Sequence, residues 1–197
     1  MAAAERKRPW YLVLALLAAL GLGAMGASSG WSMFVLYREP IDVSAEGDGI
    51  ADQAERDAVL ARSSAWLKSL DDAKARGWPL GVATLLLGGA VFVFAMRTLG
   101  GSNGARAALV QVVIAQAGVN VANYFLMRDV TDAYVRFFEA KQAAITHERA
   151  VDPDVIRRAI PIWVALQTIG SALVVFGVTR RRSRQFLDGL TKAVEGR

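Results

Sequence analysis

Four uninterrupted apolar blocks decide what this 197-residue chain can fold into. They cover residues 10–37, 78–96, 107–127 and 159–179, and none contains Asp, Glu, Lys, Arg or His. At a rise of 1.5 Å per residue, about 20 helical residues cross the roughly 30 Å hydrocarbon core of a bilayer. No water reaches the backbone there, so each block has to satisfy its own N–H and C=O groups as a helix. The expected fold is an all-α membrane protein with four transmembrane helices. Trp10, Tyr11, Trp31 and Tyr37 at the ends of the first block, with Trp78, Tyr124 and Trp163 near the ends of the others, fit interfacial aromatic belts.

Charge sets the expected orientation. Residues 1–9, 97–106 and 180–197 hold 11 basic and 3 acidic side chains, whereas 38–77 and 128–160 hold 12 basic and 15 acidic ones. The first set is therefore expected inside, with both termini cytoplasmic. The net charge of +5 is explained by that bias, and no nucleic-acid partner is expected. Arg6-Lys7-Arg8 ahead of an apolar run resembles a signal peptide, but the run to Tyr37 is too long for a signal core, so an uncleaved helix is expected. Abundant Ala, Gly and Arg points to a bacterial cytoplasmic (inner) membrane.

The segments between blocks carry their own patterns. Pro9 opens the first helix and Pro40 closes it. Residues 50–76 form an amphipathic outer helix with Val59, Leu60, Trp66, Leu67 and Leu70 on one face. Gly77 is read as its stop and Pro79 as the start of the second membrane helix. Residues 98–106 form a tight inner turn. Periodicity continues past Met127, where Val130, Tyr134, Phe137 and Phe138 make a second outer helix over 128–148. Asp152-Pro153 reads as the cap and first residue of the last helix, and Pro161 as a kink. In the tail, 183–197, Phe186, Leu187, Leu190 and Val194 suggest a helix lying on the inner leaflet. Arg180, Arg181, Arg182 and Arg184 then face lipid head groups, or serve only as a topological anchor.

The chain also matches itself. A shift of 82 residues sets PLGVATLLLGGAVFVFAM against PIWVALQTIGSALVVFGV, with Pro79/Pro161, Gly88/Gly170 and Phe94/Phe176 identical. A shift of 90 sets FVLYREPID against YFLMRDVTD, matching Leu36/Leu126, Arg38/Arg128 and Asp42/Asp132. Two tandem transmembrane hairpins, 1–97 and 107–182, follow as parallel repeats. The second shift places Gly26 opposite Gln116, Gly30 opposite Asn120 and Met33 opposite Asn123.

Two kinds of residue stand out within the spans. Ala15, Ala19, Gly23 and Ala27, with Gly88, Gly118 and Gly170, form small-residue faces for close helix packing. On the third helix, Ala108, Gln111, Ala115, Gly118 and Ala122 share one such face, while Val110, Val113, Ile114, Val121 and Phe125 point to lipid. Gln116, Asn120 and Asn123 share a narrow third face, and Gln167 and Ser171 lie together on the fourth helix. This polar set reads first as interhelical hydrogen bonding and second as an outward-facing pocket for a neutral ligand.

Enzymatic readings find little support. The single histidine, His147, stands beside Glu148 in an outer segment, and cysteine is absent, so neither metal ligation, a bis-histidine haem nor thiol chemistry is expected. No nucleophile and base pair is legible, and no ionisable group inside a span offers a proton relay. Neither a cofactor nor a catalytic residue is expected. The chain reads as a structural or accessory subunit of a larger membrane assembly, contacting lipid, other subunits or itself through outer helices 50–76 and 128–148. The alternative is an outward-facing small-ligand sensor or transporter.

Overall fold

The computed structural model describes residues 9–39, 41, 43–145 and 153–195. The sequence features at Arg6-Lys7-Arg8, Pro40, His147, Glu148 and Asp152 lie outside the described residues, as do the side chains of Leu190 and Val194. The described elements are α1 (Trp10–Arg38), a 3-10 turn (Ser44–Gly47), α2 (Gln53–Leu99), α3 (Asn103–Leu126), α4 (Arg128–Ile145), α5 (Pro153–Thr179) and α6 (Arg181–Glu195). No strand occurs among them. Helices α1, α2, α3 and α5 are long and apolar enough to cross a membrane, so the chain is an all-helical, multi-pass membrane protein.

One boundary differs from expectation. The outer helix 50–76 and the second span 78–96 are a single helix, α2, of 47 residues with Pro79 inside it. Gly77 does not stop it. Proline removes the donor that the carbonyl of Ala75 needs, but Ala75 and Pro79 are both exposed, where an unpaired carbonyl is tolerated. At its start, the Asp52 carboxylate accepts the Glu55 N–H at 3.0 Å, a side-chain cap of the first turn. Helix α5 likewise begins at Pro153 and continues through Pro161. Met127 is the one non-helical residue between α3 and α4, yet its N–H reaches Asn123 O at 2.9 Å and its carbonyl accepts from Thr131 at 3.0 Å.

The chain divides into two compact units. The first gathers Ala83–Asn120 with the chain before Ser32 and from Leu166 onward. Its core takes Leu12, Leu16 and Ala19 from α1, Val91 and Ala95 from α2, Leu109 and Val113 from α3, Val174 and Val178 from α5, and Leu187 from α6. Helix α6 is therefore packed against protein through Leu187 and Phe186, two of the residues read from the sequence as its apolar face. The Ser183 hydroxyl fixes its start by donating to Gly177 O at 2.8 Å.

The turn between α2 and α3 also lies in this unit. Gly101 adopts φ 95°, a left-handed conformation that a side chain disfavours. Ser102 N–H bonds Arg97 O at 3.1 Å and Gly101 N–H bonds Thr98 O at 3.0 Å, closing the carbonyl end of α2.

The second unit comprises Ser32–Val82 and Val121–Ala165. Here the Trp66 ring of α2 stacks on Phe137 of α4, with centroids 5.6 Å apart and planes 1° from parallel. Tyr134 closes on the same indole at 5.3 Å. The apolar faces of the two amphipathic segments thus cover each other within one chain. Ion pairs Arg76–Asp129, Lys141–Glu46 and Arg157–Glu139 also join segments of this unit.

Candidate functional site

The intramembrane amides are engaged with neighbouring helices. Gln116, only 4% exposed, donates from Nε2 to the Leu22 carbonyl of α1 at 3.2 Å. Gly26 makes this possible. A Cβ built there would collide with Gln116 Nε2 and lie 3.2 Å from the Gly88 Cα. Asn120 donates from Nδ2 to Gln167 Oε1 on α5 at 3.2 Å. Ser171, on the same helix as Gln167, returns its hydroxyl to the Gln167 backbone carbonyl at 2.8 Å. Four of the five proposed polar site residues therefore sit in the first unit, in helix-to-helix or local hydrogen bonds.

Asn123 belongs to the second unit. Its Nδ2 donates weakly to the Met33 thioether at 3.6 Å, and its buried Oδ1 has no hydrogen-bond partner. A spare buried acceptor is expensive in lipid, so Asn123 is the amide with capacity left for a further donor. Nearby, Tyr37 donates its hydroxyl to Met127 Sδ at 3.5 Å. Tyr37 is buried, not the belt residue its position suggests. Trp10, Trp31, Trp78 and Trp163 are exposed, as a belt requires.

The small-residue positions divide. Ala15 and Ala19 are buried, and Gly23, Gly26, Ala27 and Gly88 bring the backbones of α1 and α2 together. A Cβ at Gly23 would lie 2.7 Å from Phe92 N and 2.9 Å from Gly88 O. Gly118 differs from expectation, because it is exposed and a Cβ there would meet nothing within 4 Å. Gln111 and Ala115 are exposed as well, while Val113, assigned to lipid by the sequence, is 1% exposed. The packed face of α3 is Ala105, Leu109, Val113 and Gln116, spaced at four, four and three residues. On apolarity alone the two faces are indistinguishable, and small size proved the weaker guide. Gly170 meets only the Leu22 methyls, at 3.7–3.8 Å.

Gly177 was missed by the sequence reading. A Cβ there would lie 2.6 Å from the Ala15 Cβ. Its position two residues from the end of the apolar block gave no spacing signal.

The basic cluster is also more differentiated than its sequence. The Arg180 guanidinium lies over the rings of Tyr11 and Phe176, at 5.1 and 4.9 Å, a cation–π pairing. Arg181, Arg182 and Arg184 are exposed and remain open to phosphate.

Two hollows lie in the second unit. One, of about 140 Å3, is lined by Tyr124, Arg128, Thr131, Asp132, Val135, Arg157 and Ile160. The other, about 250 Å3, is lined by residues that include Leu36, Arg38, Glu39, Ile41, Asp71 and Lys74. Neither includes the predicted amides. No group of three or more His, Cys, Asp or Glu side chains suited to a metal occurs among the described residues. Comparison with protein-family models, with curated proteins and with solved structures found no match to this chain.

Proposed function

We infer that the chain is a non-enzymatic structural or accessory subunit of a larger membrane assembly. The observation that carries this reading is the engagement of the intramembrane amides by the chain itself: Gln116 with Leu22, and Asn120 with Gln167. Polar groups placed to bind a solute keep donors free, whereas these hold helices together. A second feature leaves a face available to a partner or to lipid. Only 11% of the most apolar stretch of α5 is buried, against 33% for α1. Leu166, Ile169, Leu173 and Phe176 leave an exposed apolar stripe at helical spacing.

The bias of basic residues supports termini on the cytoplasmic side, and the abundance of Ala, Gly and Arg is what favours a bacterial inner membrane. Tandem duplication is supported by contacts at the repeat interval. Tyr37 bonds Met127 and Met33 bonds Asn123, each 90 positions apart, and Gly26 seats Gln116 at the same separation.

The test is photo-cross-linking from Leu166 and Ile169 in native membranes. A discrete adduct with another subunit or a second copy is expected. Lipid adducts alone, together with a monodisperse monomer after gentle extraction, would refute the assignment. The sensor or transporter reading retains one supporting observation, the spare Oδ1 of Asn123. It requires Asn123→Leu to abolish a ligand response without lowering abundance.

A further inference from the structure

The 140 Å3 hollow of the second unit has a polar composition that the subunit reading does not use. One water molecule needs about 10–15 Å3 of such space, so a group of several heavy atoms fits. Arg128 and Asp132 stand one turn apart on α4, and among the described residues neither makes an ion pair. Arg157 differs, since Glu139 holds its guanidinium at 3.0 Å and Asp154 at 3.5 Å. Its charge is already balanced by these two carboxylates. An occupant that carries an anion for Arg128 and a cation for Asp132 matches both charges of the hollow. Tyr124 and Thr131 add hydroxyls, and Val135 and Ile160 supply apolar wall.

Position narrows the chemistry. Arg128 directly follows the third apolar block, 107–127, and Ile160 is the second residue of the fourth, 159–179. The pocket is thus built where hydrocarbon gives way to head groups, the level at which phosphate esters are concentrated. Guanidinium matches phosphate oxygens with paired donors, and a carboxylate matches a primary ammonium. We propose that Arg128 and Asp132 bind a zwitterionic phosphate ester bearing a primary amine, the phosphoethanolamine head group of a membrane lipid.

The other hollow provides the control. Its Arg38 matches Arg128 at a separation of 90, but its guanidinium lies over the Phe34 ring, and Glu39, Asp71 and Lys74 line the same hollow.

The test uses the full chain in nanodiscs holding equal amounts of phosphatidylethanolamine and phosphatidylglycerol, with retained lipid read by native mass spectrometry. Phosphatidylethanolamine is expected in about tenfold excess, as one charge-assisted contact provides. Arg128→Ala should remove most retained lipid and Arg128→Lys should restore part of it. Asp132→Asn should bring the two lipids to parity, and Arg38→Ala should change neither. Helical circular dichroism and a monodisperse elution profile verify folding of each variant. Equal retention of both lipids by the unaltered chain, or an equal loss in Arg38→Ala, would overturn the proposal. Tighter binding of soluble phosphoethanolamine than of the lipid would overturn the lipid source and assign the pocket to the free zwitterion.

Discussion

The ring of Tyr37 lies in the notch that Gly77 leaves in α2, so close that a Cβ at position 77 would overlap the phenol. Glycine at 77 is therefore a seat within a continuous helix, and the buried Tyr37 hydroxyl continues the contact to Met127 Sδ. Gly77→Ala should destabilise the chain by about 1–3 kcal/mol, the usual cost of overpacking, despite the better helix propensity of alanine. The double variant Gly77→Ala/Tyr37→Ala should lose less than the sum of the single changes. A double-mutant cycle from thermal unfolding in detergent measures that coupling. Additive losses would mean that the two residues do not share the site.

Glycines elsewhere rank by what surrounds them. Gly88→Ala should be the most damaging, because its Cβ would meet the α1 backbone at Gly26 C and Gly23 O, the latter at 2.9 Å, and backbone cannot rotate away. Gly26→Ala should displace the Gln116 amide and break its bond to Leu22. Gly118→Ala should be neutral or stabilising by up to about 1 kcal/mol, since its Cβ would meet nothing within 4 Å. The order of apparent melting temperatures, Gly118→Ala above Gly26→Ala above Gly88→Ala, checks all three.

Much of this fold is written in the four charge-free blocks, because lipid permits only helices there. The 90-residue shift aligned Gly26 with Gln116 and Met33 with Asn123 as equivalent positions; that these positions touch is a finding of the structure. Two parallel helices in register bring such positions together at each level. Other features were not legible. Gly77 and Pro79 carry the usual signals of a helix boundary, yet no local pattern reveals that Tyr37 will fill the gap at Gly77. The orientation of α3 was misread for a related reason. Val113 and Ile114 are adjacent and equally apolar, yet one is 1% exposed and the other 58%. In lipid both environments are apolar, so hydrophobicity does not choose between them. The Arg128 pocket escaped notice because its residues come from segments 124–135 and 157–160, which only tertiary packing unites.

The aromatic contact of the second unit is the largest single prediction for stability. Trp66→Ala removes a ring stacked on Phe137 and edged by Tyr134, a change of about 3–5 kcal/mol for a buried aromatic. Trp66 is only half-buried, which puts the expected loss near the lower end. Lys141→Ala should cost no more than about 1 kcal/mol, because its pairing with Glu46 is partly exposed and such bridges contribute little. Denaturant titrations of the purified protein separate the two effects. A larger loss for Lys141→Ala than for Trp66→Ala would show that the ion pair from α4 to the 3-10 turn outweighs the ring packing between α2 and α4.

The amide pair Asn120 and Gln167 gives the sharpest separation between scaffold and pocket. Their 3.2 Å bond joins α3 to α5, and intramembrane bonds of this kind contribute about 0.6–2 kcal/mol. Asn120→Leu and Gln167→Leu should each lower stability by about that amount, and the double variant by little more than either, because the bond is lost only once. Removing one partner leaves the other amide unsatisfied in an apolar setting, so the double variant can even exceed the weaker single in stability. Membrane abundance and melting temperature should fall together in the singles. Full abundance and unchanged melting in Asn120→Leu would detach this amide from helix packing and return it to the list of ligand contacts.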